Sequence, residues 1–116
     1  MFMIPIPPGE EVVKTIGAAL NSAGVENGAV VSLIGMVLDC TISTMEPDDP
    51  TNDIPSTHTQ ALELSGNGEI RNGVVHLHVV LGATDGQAIS GHLISATTGN
   101  ATTNAYVLPL DRITPL

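Results

Sequence analysis

Only one stretch of this chain has helical periodicity, and that constrains its fold more than any other feature. Val12, Val13, Ile16, Leu20 and Ala23 recur at three- and four-residue spacing, which places them on one helical face. Pro7-Pro8-Gly9 breaks the extended segment before them. Glu10 and Glu11 sit where a helix start favours negative charge, and Gly24 suits a left-handed residue at the end. After Gly24 come short runs rich in Val, Ile and Leu, separated by turn residues. Residues 29–43, with a break at Gly35, predict two short strands or one bent strand with a bulge or close backbone approach. Residues 60–65, 74–81, 88–96 and 106–110 predict further strands, with Gly66-Asn67-Gly68 as a β-turn.

The 116 residues amount to one domain, with its core expected within 8–110. Apolar residues make up 42% and charged residues 13%, which excludes a disordered chain. Phe2 and Tyr106 are the only aromatic side chains of the Phe, Tyr and Trp class, so aliphatic side chains must fill the core and base-stacking platforms are disfavoured. Twelve acidic residues against Lys14, Arg71 and Arg112 give a net charge of −9, the wrong balance for phosphate-backbone binding. No nucleic-acid partner is expected. Cys40 stands alone with no cation beside it, which predicts a buried, unreactive thiol. The first nine residues have no basic leader character, and no apolar run reaches the ~18 residues of a membrane span. The expectation is a soluble cytoplasmic protein with no membrane partner.

Residues 45–57 carry Glu46, Asp48, Asp49 and Asp53 among Pro47, Pro50 and Pro55, a composition that predicts an exposed, mobile acidic loop. The prolines interrupt any alternating calcium-ligand pattern, and no bidentate Glu follows at the required place. His58, after this loop, is expected to be exposed and is given no role. Glu63 and Glu69 are candidate acid–base groups, but solvated carboxylates explain them as well, and neither is assigned catalysis. Gly66-Asn67-Gly68 lacks the helix and Lys of a phosphate-cradling loop.

The chemistry concentrates in three histidines. His76-Leu77-His78 lies in an apolar strand whose two-residue period puts both imidazoles on one face, about 6.5 to 7 Å apart at Cα. If Thr84-Asp85-Gly86 forms the hairpin loop with Gly86 at positive φ, His92 faces His78 directly. Three neutral imidazoles then converge in the geometry of an open zinc site. A two-residue Asp85-Gly86 turn would instead oppose His92 to Val79 and send it to the other face, unless a bulge near Gly82 or Gly91 restored the alignment. The metal hypothesis is therefore a register prediction, against the alternative of histidines that merely hydrogen-bond at a subunit contact.

Taken in order, Pro8-Gly9-Glu10, Ser32-Leu33-Ile34-Gly35 leading to Asp39, Leu62-Glu63-Leu64-Ser65-Gly66, His76-Leu77-His78 and Gly91-His92-Leu93 resemble the plants-and-prokaryotes-conserved domain, called PPC or PCC. The resemblance spans nearly the whole chain and is strongest over residues 73–93. It implies an α/β (α+β) fold, a strongly bent and mostly antiparallel sheet with one main helix, assembled as a homotrimer with sites near subunit boundaries. The family's fold is similar to that of acetolactate decarboxylase, which holds zinc with an H-x-H and a distal His. By position, the ligands here would be His76, His78 and His92, and the cofactor a divalent metal, zinc by that likeness.

Where relatives commonly carry carboxylates, this chain shows Gln60 and Tyr106, which places carboxylate-dependent chemistry in question. Ser90 replaces the first Gly of a GGHL pattern. The AT-hook character of plant members is missing from this sequence. Two functions follow as expectations: a trimeric metal site for a small-molecule ligand or substrate, including lyase or hydrolase chemistry, or a non-catalytic interaction module binding a protein partner, with a structural metal or none.

Overall fold

The computed structural model describes residues 1–115. Helix α1 (Val12–Ala23) forms where the periodicity places it, and Val12, Ile16 and Leu20 are buried. Each such side chain contributes about 1.5–3 kcal/mol on leaving water. Glu11 caps the helix, its carboxylate accepting from the Val13 and Lys14 amides at 3.2 and 2.7 Å. The same carboxylate accepts from the Ala96 amide at 3.0 Å, so the cap also ties the helix to the sheet. Gly24, at φ 69° and ψ 26°, ends the helix in the left-handed conformation.

Strands β1 (Phe2–Ile6), β2 (Gly28–Glu46), β3 (Asp49–His58), β4 (Leu62–Arg71), β5 (Val74–Gly82), β6 (Ala88–Thr98) and β7 (Thr103–Pro109) form one sheet whose pairings are all antiparallel. The 29–43 run is one bent strand. The first half of β2 lies between β7 and β4, and its second half lies between β6 and β3. Register shifts near Val30, Val37 and Thr41 supply the bend. Because β4 pairs with β5, β5 with β6, and β6 again with β2, those four strands close a ring. Gly35 is a point of close approach: a Cβ there would collide with the Thr103 backbone and side chain.

The core joins Ile4, Ile6, Val12, Ile16 and Leu20 to Val37, Leu64, Leu77, Val79, Leu81 and Leu93. Cys40 is buried there, and burial, followed by the neighbouring Asp39 charge, pushes its thiol pKa up, away from reactivity.

Two expectations fail. Residues 45–57 are exposed, but they are a hairpin arm rather than a loop. The end of β2 and β3 pair from Cys40↔His58 to Glu46↔Asp49, with Pro47-Asp48 as the turn. β3 is an edge strand, where Pro50 and Pro55 withhold no amide that a second neighbour needs. Gly66-Asn67-Gly68 is no turn either. It runs through the middle of β4, with Gly66 opposite Val79 and Gly68 opposite Leu77. The glycines are there because β5 passes too close for a Cβ: one at Gly66 would stand 2.5 Å from the His78 carbonyl oxygen, and one at Gly68 would overlap the His76 carbonyl.

Candidate metal centre

Along β5 the burial alternates, with Leu77, Val79 and Leu81 in the core and His76 and His78 on the opposite face. The turn that positions His92 combines both local solutions that the sequence allows. Asp85 and Gly86 both have positive φ, 62° and 74°, and the Gln87 amide reaches the Thr84 carbonyl at 3.4 Å. The Ala83 amide nevertheless donates to the Gln87 carbonyl at 2.7 Å, leaving Thr84 as the extra residue. The ladder beyond it therefore pairs His78 with His92.

The three side chains converge. Imidazole centroids are 4.9 Å apart for His76–His78, 4.8 Å for His76–His92 and 6.2 Å for His78–His92. One ligating nitrogen from each ring lies within 4.8 Å of the others. His76 and His78 are exposed, while His92 is half-buried between β5 and β2, where it also opposes Ser43. Its Nδ1 is buried and has no hydrogen-bond partner among the described residues. Burial, then the neighbouring His76 and His78, lower the pKa of His92, with Asp53 acting in the opposite sense. A buried imidazole nitrogen kept neutral and unpaired beside two other imidazoles is the donor set a borderline divalent cation requires, so the residues fit a metal. Glu69, directly opposite His76 on β4, stands 3.9 Å from His76 Nδ1 and also pairs with Arg71 at 3.4 Å, both at solvent-exposed positions.

The site opens into a cavity of about 930 Å³ whose lining includes Ser43, Asp53, Ser65, Asn67 and Ser90 beside the histidines. Asp53 reaches it from β3 and is the group that sequence reasoning misses. Nothing in its local sequence marks it, because its position depends on the arm folding back along β2. Neither Gln60 nor Tyr106 lines this cavity, and Glu63 lies opposite Gly82 at the other end of the β4–β5 ladder. His58 pairs opposite Cys40, with its Nε2 3.1 Å from the Ser56 hydroxyl, outside the cluster.

A search of curated proteins finds no match to this chain. Among solved structures, a metal-containing protein from Archaeoglobus fulgidus shares 29% identity at a TM-score of 0.77, over 94% of this chain and 78% of its own. A Bacteroides thetaiotaomicron protein described as a candidate DNA-binding protein shares 26% identity at 0.79, over 95% and 78%. A Staphylococcus aureus protein of unknown function, described as similar to α-acetolactate decarboxylase, shares the fold at 12% identity and a TM-score of 0.62, over 95% of this chain and 52% of its own. The model of the Plants and Prokaryotes Conserved (PCC) domain matches residues 1–109, and the chain belongs to that family.

Proposed function

We propose that this protein is a homotrimeric, divalent-metal-binding member of its family, with His76, His78 and His92 as the ligands and zinc as the metal. The site serves a small molecule that enters the adjoining cavity. The observation that carries the reading is the unpartnered buried Nδ1 of His92 next to two further imidazoles, a costly arrangement for a protein with nothing to bind there. The metal-containing Archaeoglobus relative supports it. Zinc in a three-histidine site supplies a Lewis acid that polarises a carbonyl or lowers the pKa of a water towards ~7. The protein's own part is to hold the imidazoles convergent, and to offer hydroxyl and amide groups from Ser65, Asn67 and Ser90 for orientation.

The trimer is supported by the apolar side chains left exposed on the sheet, Ile34, Leu38 and Ile94 among them. Nucleic-acid binding is not proposed, since the charge of −9 outweighs the description of the Bacteroides relative. A cytoplasmic location belongs to the same proposal; the described residues contain no helix long and apolar enough to cross a membrane.

The test is elemental analysis of untagged protein on a column that reports absolute mass. Expected is near-stoichiometric zinc in particles of three 11.9 kDa chains, and zinc lost in His76→Ala with the mass unchanged. A correctly assembled wild-type trimer that takes up no metal overturns the metal centre and leaves an interaction module. A stable monomer overturns the trimer.

A further inference from the structure

The cavity beside the histidines has an unusual charge balance. None of Lys14, Arg71 and Arg112 lines it, and Asp53 is the one carboxylate among its described lining residues. The other polar groups there are the hydroxyls of Ser43, Thr44, Ser65 and Ser90, the amide of Asn67 and the three imidazoles. Outside the cavity, Glu69 approaches His76 but is paired with Arg71, so its charge is partly offset, whereas Asp53 has no salt-bridge partner among the described residues. Asp53 is brought over the site by the β2–β3 pairing, which sets it opposite Met45, itself a lining residue.

A dication held by three neutral imidazoles attracts anions strongly. Enzymes that act on carboxylates or phosphates generally add Arg or Lys to position them. This cavity does the reverse.

We propose that Asp53 is a specificity-determining residue that sets the site against anionic ligands and for neutral or cationic ones bearing carbonyl or hydroxyl groups. The inference rests on the metal-centre reading above and deepens it. A free carboxylic or keto acid meets Asp53 with no cation of the same chain lining the cavity to compensate. An uncharged carbonyl compound meets the hydroxyl and amide partners without that repulsion.

The test loads the protein with Co²⁺, whose visible absorption reports coordination, and titrates thiocyanate as the anionic probe and imidazole as the neutral one at pH 8. Asp53→Asn is expected to tighten thiocyanate on the order of fivefold to tenfold at low salt, the effect of one nearby unit charge in a partly solvated site, with the gain shrinking as salt is added. Imidazole affinity should stay within about twofold, as expected for a ligand with no charge to sense. Asp111→Asn makes the same change in net charge at the far end of the sheet, beside Phe2 and Pro109, and should leave both probes unmoved.

Equal thiocyanate affinity in wild type and Asp53→Asn, with the cobalt spectrum intact, overturns the role of Asp53 and spares the metal centre. Loss of cobalt in Asp53→Asn also overturns it, by making Asp53 a ligand. A wild-type protein that gives no cobalt spectrum overturns both readings.

Discussion

Replacing Gly68 by alanine is expected to be among the most damaging single-methyl changes in the chain. The added Cβ would overlap the His76 carbonyl oxygen and stand 2.9 Å from both the His76 carbonyl carbon and Leu77 Cα. These are backbone atoms, so no side-chain rotation relieves the contact, and β6 holds the same strand on its other side from His78 onward. The expected cost is at least about 3 kcal/mol, a large part of the ~5–15 kcal/mol that holds a domain together. Urea denaturation should show it as a fall in midpoint. The displaced backbone is that of His76, so metal affinity should fall in the same variant even under conditions where it remains folded. Gly82→Ala is the control: the nearest atom to a Cβ there is 3.5 Å away, an ordinary contact, and stability should change by no more than about 0.5 kcal/mol. Similar losses in the two variants would mean that glycine's flexibility, rather than close approach, matters at Gly68.

Gly68 also shows where the sequence stops being legible. A glycine pair around an asparagine has the composition of a turn, and the missing Cβ that permits a turn is the same one that lets two strands touch. Which use applies is decided by β5, outside any local stretch of sequence. The arm fails to declare itself for a related reason. Its strand is exposed on both faces, so no apolar alternation betrays it, and its prolines are tolerated only because one edge is free. Asp53 is hidden with it. The helix and the histidine triad are legible because their determinants are short-range. Val12, Ile16 and Leu20 repeat with the helix, His76 and His78 with the strand, and one loop residue, Thr84, decides which face His92 takes. The register of His92 is thus conditional on that loop, and the loop meets the condition with two positive-φ residues instead of one.

His92→Phe is expected to abolish metal binding and, in the metal-free protein, to raise stability. The ring keeps its approximate shape while the buried Nδ1, which has no partner among the described residues, is removed. A buried polar atom without a hydrogen bond costs about 1–3 kcal/mol, so a gain of about 1 kcal/mol in chelator at pH 7.5 is the expected reading from urea unfolding. The pH dependence gives a second signature. The pKa of His92 is lowered by burial and its imidazole neighbours, so as pH falls through the ordinary value of 6.5 the unfolded chain takes up a proton that the folded chain refuses. Wild-type stability is therefore fully retained above that pH. It declines from there down to the folded-state pKa, below which this contribution stays lost. The phenylalanine variant lacks this loss, and its advantage should widen between pH 7 and pH 5. If instead the variant is less stable throughout and shows the same acid slope, Nδ1 has a partner in solution and the argument that this histidine is kept for a metal fails. If it is more stable and metal-free, the cost of leaving Nδ1 unpaired is attached to the one ligand whose position is set by the turn, and function rather than folding accounts for His92.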